Sequence, residues 1–79
     1  MDEADLTVAA VIRQARIMLG YTQMDVAEMA DMSWGEYQRI EYGKRSVRNM
    51  SMKHGLALCK ALHLDPYQLV FGKQWSDLE

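Results

Sequence analysis

The chain has 79 residues, of which 49% are hydrophobic and 25% charged, a composition typical of one small globular domain and not of a disordered protein. So short a chain has no room for a deep cleft between lobes, and its single cysteine excludes an internal disulfide and a multi-cysteine zinc site. The net charge of −2 argues, taken alone, against a nucleic-acid-binding protein. No apolar run is long enough for a membrane span, so we expect a cytoplasmic protein with one domain over residues 1–79, its core at 8–71 and a tail at 72–79.

Apolar spacing predicts two helices in the first part of the chain. Residues 6–19 carry apolar side chains at intervals of three and four, which indicates an amphipathic helix that Gly20 ends. The expected inner face of this helix comprises Val8, Val11, Ile12, Ala15 and Leu19. Thr22 is a favourable N-cap for a short second helix, with Asp25 near the positive end of its dipole.

A turn and a third helix follow. Asp31 and Met32 predict the turn, because Asp tolerates the left-handed backbone conformation better than most residues. Ser33 and Glu36 have the spacing of a capping box, which opens the third helix, and Gly43 follows its end. The inner face of this helix is expected at Tyr37, Ile40 and Glu41.

The last part of the chain predicts a polar loop at 44–50 and two more helices. The fourth helix spans about 51–63, and Pro66 is tolerated in the first turn of a fifth helix that extends to residue 71. We expect one inner stripe on the fourth helix at Met52, Leu56, Cys59 and Leu62. Since no stretch shows the sustained alternation of a strand, the prediction is an all-α, five-helix fold.

Residues 23–42 have the pattern of a helix-turn-helix. Ala27 is small enough to let two helices cross closely, and Asp31 stands at the turn. Apolar residues occupy the positions through which two short helices pack, namely Val26, Ala30, Met32, Tyr37 and Ile40. Such packing leaves the outer face of the second helix free to enter a groove of DNA.

The chain resembles the Xre/Cro-type repressor family, the helix-turn-helix domains of phage lambda-like repressors, over about residues 8–71. The resemblance rests on Ile12-Arg13-Gln14-Ala15-Arg16, Gly20-Tyr21-Thr22-Gln23, Val26-Ala27, Arg39-Ile40-Glu41-Tyr42-Gly43-Lys44-Arg45 and Lys60-Ala61-Leu62. It implies a lambda repressor-like domain that acts as a homodimeric, sequence-specific DNA-binding transcriptional regulator on a two-fold operator. A stand-alone repressor of the prophage, controller or antitoxin type is the form that we expect.

The resemblance also implies roles for individual residues. Gln23 matches a phosphate-clamping residue, and Arg16 and Glu41 match a structural ion pair. The outward face of the recognition helix, expected in the major groove, comprises Ser33, Trp34, Gly35, Glu36 and Arg39. Among these, Arg39 is the best candidate for contact with guanine O6 and N7. The loop residues expected at backbone phosphates are Lys44, Arg45 and Arg48.

The position of the basic residues answers the objection from net charge. Lys44, Arg45, Arg48 and Lys53 lie within ten residues that contain no acid, whereas the acids cluster at the N-terminus, on the second helix and in the tail. A basic patch of this kind binds phosphates weakly as a monomer and with strong salt dependence. A run of charges is more often just a solvated loop, so both interpretations stay open here.

Trp34 and Gly35 depart from the family, which commonly has polar residues at these positions. Trp offers one hydrogen-bond donor and a large apolar face, and Gly has no side chain to read a base edge. Trp34 therefore suits a thymine methyl group or a protein contact. The alternative function is accordingly a helix-turn-helix used as a protein-interaction module without specific DNA binding.

Two further groups of residues have competing interpretations. An apolar cluster near the C-terminus either packs on the core or forms the homodimer interface, and it comprises Tyr67, Val70, Phe71 and Trp75. Cys59 and His63 have the spacing of two zinc ligands, but further ligands are missing, and we expect no metal. Without a catalytic motif or a Gly-rich phosphate loop, we expect neither an enzyme nor a cofactor.

Overall fold

The computed structural model describes residues 3–72, and within this range the chain forms five α-helices, one short 3-10 helix and no strand. The helices are α1 (Glu3–Leu19), α2 (Gln23–Met29), α3 (Trp34–Glu41), α4 (Met52–Leu62) and α5 (Pro66–Phe71), and the 3-10 helix is Val47–Asn49. The all-α, five-helix prediction is thus confirmed. None of the helices in the described range combines the length and the apolar character needed to cross a membrane.

Local hydrogen bonds explain where α2 and α3 begin. The Asp25 backbone N–H donates to Thr22 Oγ1 at 3.0 Å, and the Thr22 N–H donates to Asp25 Oδ2 at 2.9 Å, which completes a capping box. The bond from the Thr22 backbone lowers the pKa of Asp25. At α3 the Glu36 N–H donates to Ser33 Oγ at 3.2 Å, as predicted, but the Glu36 carboxylate bonds to Arg45 instead of closing the box.

The turn between α2 and α3 has the conformation that the sequence predicts. Asp31 has a φ of 57°, in the left-handed region, and the Met32 N–H donates to the Ala27 carbonyl at 3.0 Å. Gly20, with a φ of 78°, likewise ends α1, where a residue with a Cβ would be strained. These two turns bring α2 and α3 into contact with each other, and α3 also packs against α1.

The core lies where the first four helices meet. Tyr37 is the largest fully buried side chain, and Ala27 is buried in the same cluster. The other buried members are Val8, Ile12, Val26, Ala30, Ile40, Val47, Leu58 and Leu62. Because α2 and α3 bury only their inner faces, the outer face of α3 stays exposed from Trp34 to Arg39.

Three predictions about inner faces are wrong. Met52 is 78% exposed and Leu56 49% exposed, because α4 turns Leu58 into the core beside Cys59 and Leu62, which are buried as predicted. Val11 is 40% exposed, in a surface groove between α1 and α5.

The segment 44–50 is not a wholly polar loop either. Val47 on the 3-10 helix is buried against the core, and Met50 packs on that cluster. The segment is therefore anchored on both sides of Arg48, which restricts where this side chain can reach.

Candidate nucleic-acid interface

The first turn of α2 and one face of α3 lie side by side. Gln38 Nε2 donates to Gln23 Oε1 at 3.2 Å, and Gln23 and Trp34 line the same surface cleft. The two helices are in contact, and the small residue Ala27 of α2 is buried, as a helix-turn-helix requires. This arrangement presents the start of α2 and the outer face of α3 on one surface.

A buried ion pair fixes α1 against the helix-turn-helix. Arg16 Nε lies 2.6 Å from Glu41 Oε2, Arg16 Nη2 donates to Glu41 Oε1 at 3.2 Å, and Arg16 Nη1 donates to the Tyr21 carbonyl at 3.0 Å. Burial alone would raise the pKa of Glu41, but the hydrogen bonds from Arg16 and Gln23, together with the nearby Tyr37 hydroxyl, outweigh it and hold this pKa below its usual value. The hydrogen bond with Glu41 in turn raises the pKa of Arg16. The pair is charged at neutral pH and orients α3 relative to α1.

The Tyr37 hydroxyl is buried beside this pair. It makes no hydrogen bond of good geometry with any residue of the described range, although it lies near enough to Glu41 to influence its titration. Burial first, and then the neighbouring Glu41, raise the pKa of Tyr37. Its role is to fill the core under the outer face of α3.

Gln23, the expected phosphate clamp, is held by two neighbours. Its Nε2 donates to Glu41 Oε1 at 3.2 Å, and its Oε1 accepts from Gln38. An amide nitrogen carries two hydrogens, so one N–H of Gln23 stays available to an external acceptor. The side chain is thus oriented in advance at the start of α2.

Most polar groups on the first turn of α3 are already bonded. Ser33 caps the helix, and Glu36 Oε1 lies 2.6 Å from Arg45 Nη1. Gly35 is exposed, and a Cβ built there would meet no atom within 4 Å. Trp34 is 50% exposed, and exposed Arg39 forms no ion pair within residues 3–72. Arg39 is therefore the free cation of this helix.

The basic loop begins at the C-terminal end of α3. The backbone N–H groups of Lys44 and Arg45 donate to the Arg39 carbonyl at 2.7 Å and 3.2 Å, which places the loop directly after the outer face of α3. Exposed Lys44 forms no ion pair with the part of the chain that the structure describes. The free cations at this end of α3 are therefore Arg39 and Lys44.

Acids from distant parts of the sequence partner the other basic residues. Arg48 Nη1 lies 3.9 Å from Asp5 Oδ1, and the same carboxylate oxygen accepts from Ser46 Oγ at 2.6 Å. Lys53 Nζ lies 4.0 Å from Asp31 Oδ2 between two exposed side chains. Sequence reasoning missed these acids, because nothing in the local pattern places Asp5 beside a loop about forty residues later.

Sequence reasoning also missed Met24, which follows Gln23 in the first turn of α2. Met24 is 61% exposed and lines the cleft that contains Trp34. Its place on the outer side of a helix whose inner face is Val26 and Ala27 was the available signal.

The C-terminal apolar cluster is in part exposed. The rings of Tyr67 and Phe71 are 4.7 Å apart, and Phe71 is largely exposed. A groove of about 410 Å³ between α4 and α5 is lined in part by Met52, Leu56 and Val70. Trp75 lies outside the described residues.

Cys59 is buried on α4, where burial first and Asp65 second raise the pKa of its thiol. Within residues 3–72, no three His, Cys, Asp or Glu side chains come together in a way that could hold a metal ion. A buried thiol of raised pKa packs as a small apolar group.

Comparison with known proteins identifies the family. No curated protein and no solved structure matched the chain. The family model described as Helix-turn-helix matches residues 12–69, a range that runs from α1 to α5 and includes the whole surface described above. The chain therefore belongs to this family, the Xre/lambda repressor-like helix-turn-helix proteins, and is a DNA-binding helix-turn-helix regulator.

Proposed function

We propose that the protein is a sequence-specific transcriptional repressor that binds a two-fold DNA operator as a homodimer, with α3 in the major groove of each half-site. The observation that carries this proposal is the exposed outer face of α3 directly before the basic loop, with Arg39, which forms no ion pair with the described residues. A guanidinium in this position suits the O6 and N7 atoms of guanine.

The surroundings of α3 support contacts with the DNA backbone. Gln23 has one N–H left for a phosphate, and Lys44, which follows the C-terminal end of α3, forms no ion pair within residues 3–72. Arg45 and Arg48 have carboxylate neighbours, so a phosphate has to compete with Glu36 and Asp5 for them. We therefore expect weak non-specific affinity and a DNA complex that depends on a second subunit.

The exposed apolar face at α4 and α5 supports dimerisation. Four large apolar side chains are exposed there, namely Met52, Leu56, Val70 and Phe71. A contiguous apolar surface of this kind is favoured in contact with a partner protein, here a second copy of the chain. In a Phe71→Glu variant we expect a monomer that has lost most of its affinity for a two-fold site. Analytical ultracentrifugation with and without DNA checks this, and an unchanged dimer would exclude α5 from the interface.

A prophage, controller or antitoxin repressor of the cytoplasm is the type that we propose.

The alternative is a protein-interaction module, which the exposed Trp34 and the acidic outer side of α2 favour. Asp25 and Glu28 are both exposed on α2, and a basic partner protein would be attracted to them. Under this alternative Trp34→Ala abolishes binding to the partner protein. The affinity for DNA is then weak in the wild type, and Arg39→Ala leaves it unchanged.

The deciding experiment selects bound duplexes from a random DNA pool and measures the affinity of the enriched sequence. Arg39→Ala should weaken binding at least tenfold, since a good bidentate base contact contributes about 1–3 kcal/mol. Lys60→Ala is the matched control, because it removes one exposed positive charge from α4, beside the end of α2 remote from Gln23. Equal effects of the two variants, or no enrichment at low salt, would contradict the proposal.

A further inference from the structure

Two large apolar side chains are exposed on the surface that we assign to DNA. Met24 and Trp34 lie on the first turns of α2 and α3 and line one open cleft of about 510 Å³ together with Gln23 and Tyr21. Met24 is 61% exposed and Trp34 50% exposed. An apolar pair at this position needs an apolar group on the bound partner.

The polar groups around this pair are already bonded within the protein. The Ser33 hydroxyl caps α3, the Glu36 carboxylate holds Arg45, and the amides of Gln23 and Gln38 bond to each other. Gly35 has no side chain. The first turn of α3 therefore cannot read bases chiefly by hydrogen bonds, and its largest free group is the indole of Trp34.

The major groove offers one apolar group that distinguishes base pairs, the methyl group on C5 of a pyrimidine. Thymine carries this methyl group, and 5-methylcytosine presents the same group at the same ring position. A rigid indole buries such a methyl group at a low cost in side-chain entropy, because it has only two rotatable side-chain bonds. Arg39 on the same helix forms no ion pair with the described part of the chain, and this positive charge favours DNA over a protein as the molecule that fills the cleft.

We propose that Trp34, supported by Met24, reads the 5-methyl group of a pyrimidine in each half-site. This inference rests on the proposed DNA-binding function. Arg39 follows Trp34 by five residues, about 7.5 Å along the helix axis, so the two side chains contact different base pairs of the half-site.

The experiment uses duplexes of the sequence enriched from the random pool, each with a single thymine replaced by deoxyuridine. Removing the methyl group that Trp34 contacts should weaken binding about three- to fivefold, the equivalent of one buried methyl group. A second set of duplexes carries 5-methylcytosine in place of cytosine. A gain in affinity of similar size at one of these positions identifies 5-methylcytosine as the base whose methyl group Trp34 contacts. Either effect, confined to one position per half-site, supports the proposal.

The protein variants show whether Trp34 is responsible. Trp34→Ala should bind the thymine and uracil duplexes equally, whereas Trp34→Phe should keep part of the discrimination because it retains an apolar ring. Met24→Ala should reduce the discrimination. Met29→Ala, a matched change at the other end of α2, should leave it unchanged, since Met29 lies in a different groove with Lys60. Circular dichroism checks that each variant is folded.

The outcomes separate this inference from the proposed function. Specific DNA binding that is insensitive to the methyl group at every position, or a uracil effect that persists in Trp34→Ala, overturns the reading role of Trp34 and leaves the DNA-binding proposal intact. Failure of the wild-type protein to enrich any duplex overturns both. If Trp34→Ala does not fold, Trp34→Phe and Met24→Ala decide the question, and a uracil effect of full wild-type size in both variants overturns the reading role of Trp34.

Discussion

At the residue scale, Glu36 controls how much positive charge reaches DNA, because its carboxylate holds the guanidinium of Arg45 at 2.6 Å. In Glu36→Gln the guanidinium is released toward a phosphate. We expect a severalfold gain in DNA affinity and a steeper salt dependence, by about 0.9 in the slope of log K against log salt for one added phosphate contact.

Titrations at several salt concentrations check this effect of Glu36. Glu28→Gln on the exposed side of α2 is the control, because it changes the net charge equally without releasing a basic partner. Equal gains in the two variants would show that net charge alone, and not the ion pair with Arg45, is responsible.

Gly35 gives a second test at the residue scale, in which stability and affinity should move in opposite directions. A Cβ at this position meets nothing within 4 Å, so Gly35→Ala should stabilise the fold by about 0.5 kcal/mol. On DNA the added methyl group lies between α3 and the base edges, and affinity should fall.

Gly55→Ala on α4 is the matched control for Gly35→Ala. Its Cβ would lie 3.8 Å from Met50 Cγ, an ordinary contact, so it should stabilise the fold without altering DNA affinity. Urea unfolding and DNA titration of both variants check the pair, and unchanged affinity in Gly35→Ala would place this turn of α3 away from DNA.

At the element scale, tertiary packing determines which of two apolar stripes of α4 is buried, the one with Leu58 or the one with Met52. Leu58 is fully buried, whereas Met52 is largely exposed. We expect Leu58→Ala to lower the free energy of unfolding by about 3 kcal/mol, and Met52→Ala to change it by less than about 0.5 kcal/mol. Urea unfolding measures both. A larger loss of unfolding free energy in Met52→Ala than in Leu58→Ala would show that α4 buries the stripe with Met52, as the sequence predicts.

The same comparison explains which features were predictable from the sequence. Caps and turns depend on neighbours within four residues, so Thr22, Ser33 and Asp31 were predicted correctly. The rotation of α4 and the burial of Val47 depend on packing against distant helices, and the sequence carries no local signal for either.

The surface near α3 likewise has features that the local sequence predicts and features that it does not. The helical spacing identifies the outer face that carries Trp34 and Arg39, because that face follows from the apolar pattern of the opposite side. The partners that modify this face come from elsewhere in the chain. The bond between Glu36 and Arg45 and the approach of Asp5 to Arg48 arise only once the helices have packed.

At the scale of the whole molecule, the ion pair of Arg16 and Glu41 makes the fold sensitive to acid. The pKa of Glu41 is lower in the folded protein than its ordinary value, so the unfolded state binds more protons as the pH falls. The stabilisation is fully present above the unfolded pKa, near 4.3, and is lost as the pH falls through the folded pKa. Asp25 shifts in the same direction.

Glu41→Gln tests this acid sensitivity. The variant should be less stable than the wild type at pH 7, because it leaves Arg16 without its charged partner, and its stability should change less between pH 5 and pH 3. Urea unfolding across this range measures both effects. A wild-type profile no steeper than that of the variant would mean that other carboxylates govern the acid limb.

The orientation of the molecule on DNA is the central claim, and an NMR titration of the 15N-labelled protein with the enriched duplex tests it most directly. We predict that the largest changes in amide chemical shift fall in α3, in the first turn of α2 and in the loop at 44–46. The amides of α4 and of the C-terminal end of α2 should change little. Changes confined to α4 and α5, with α3 unaffected, would contradict the account.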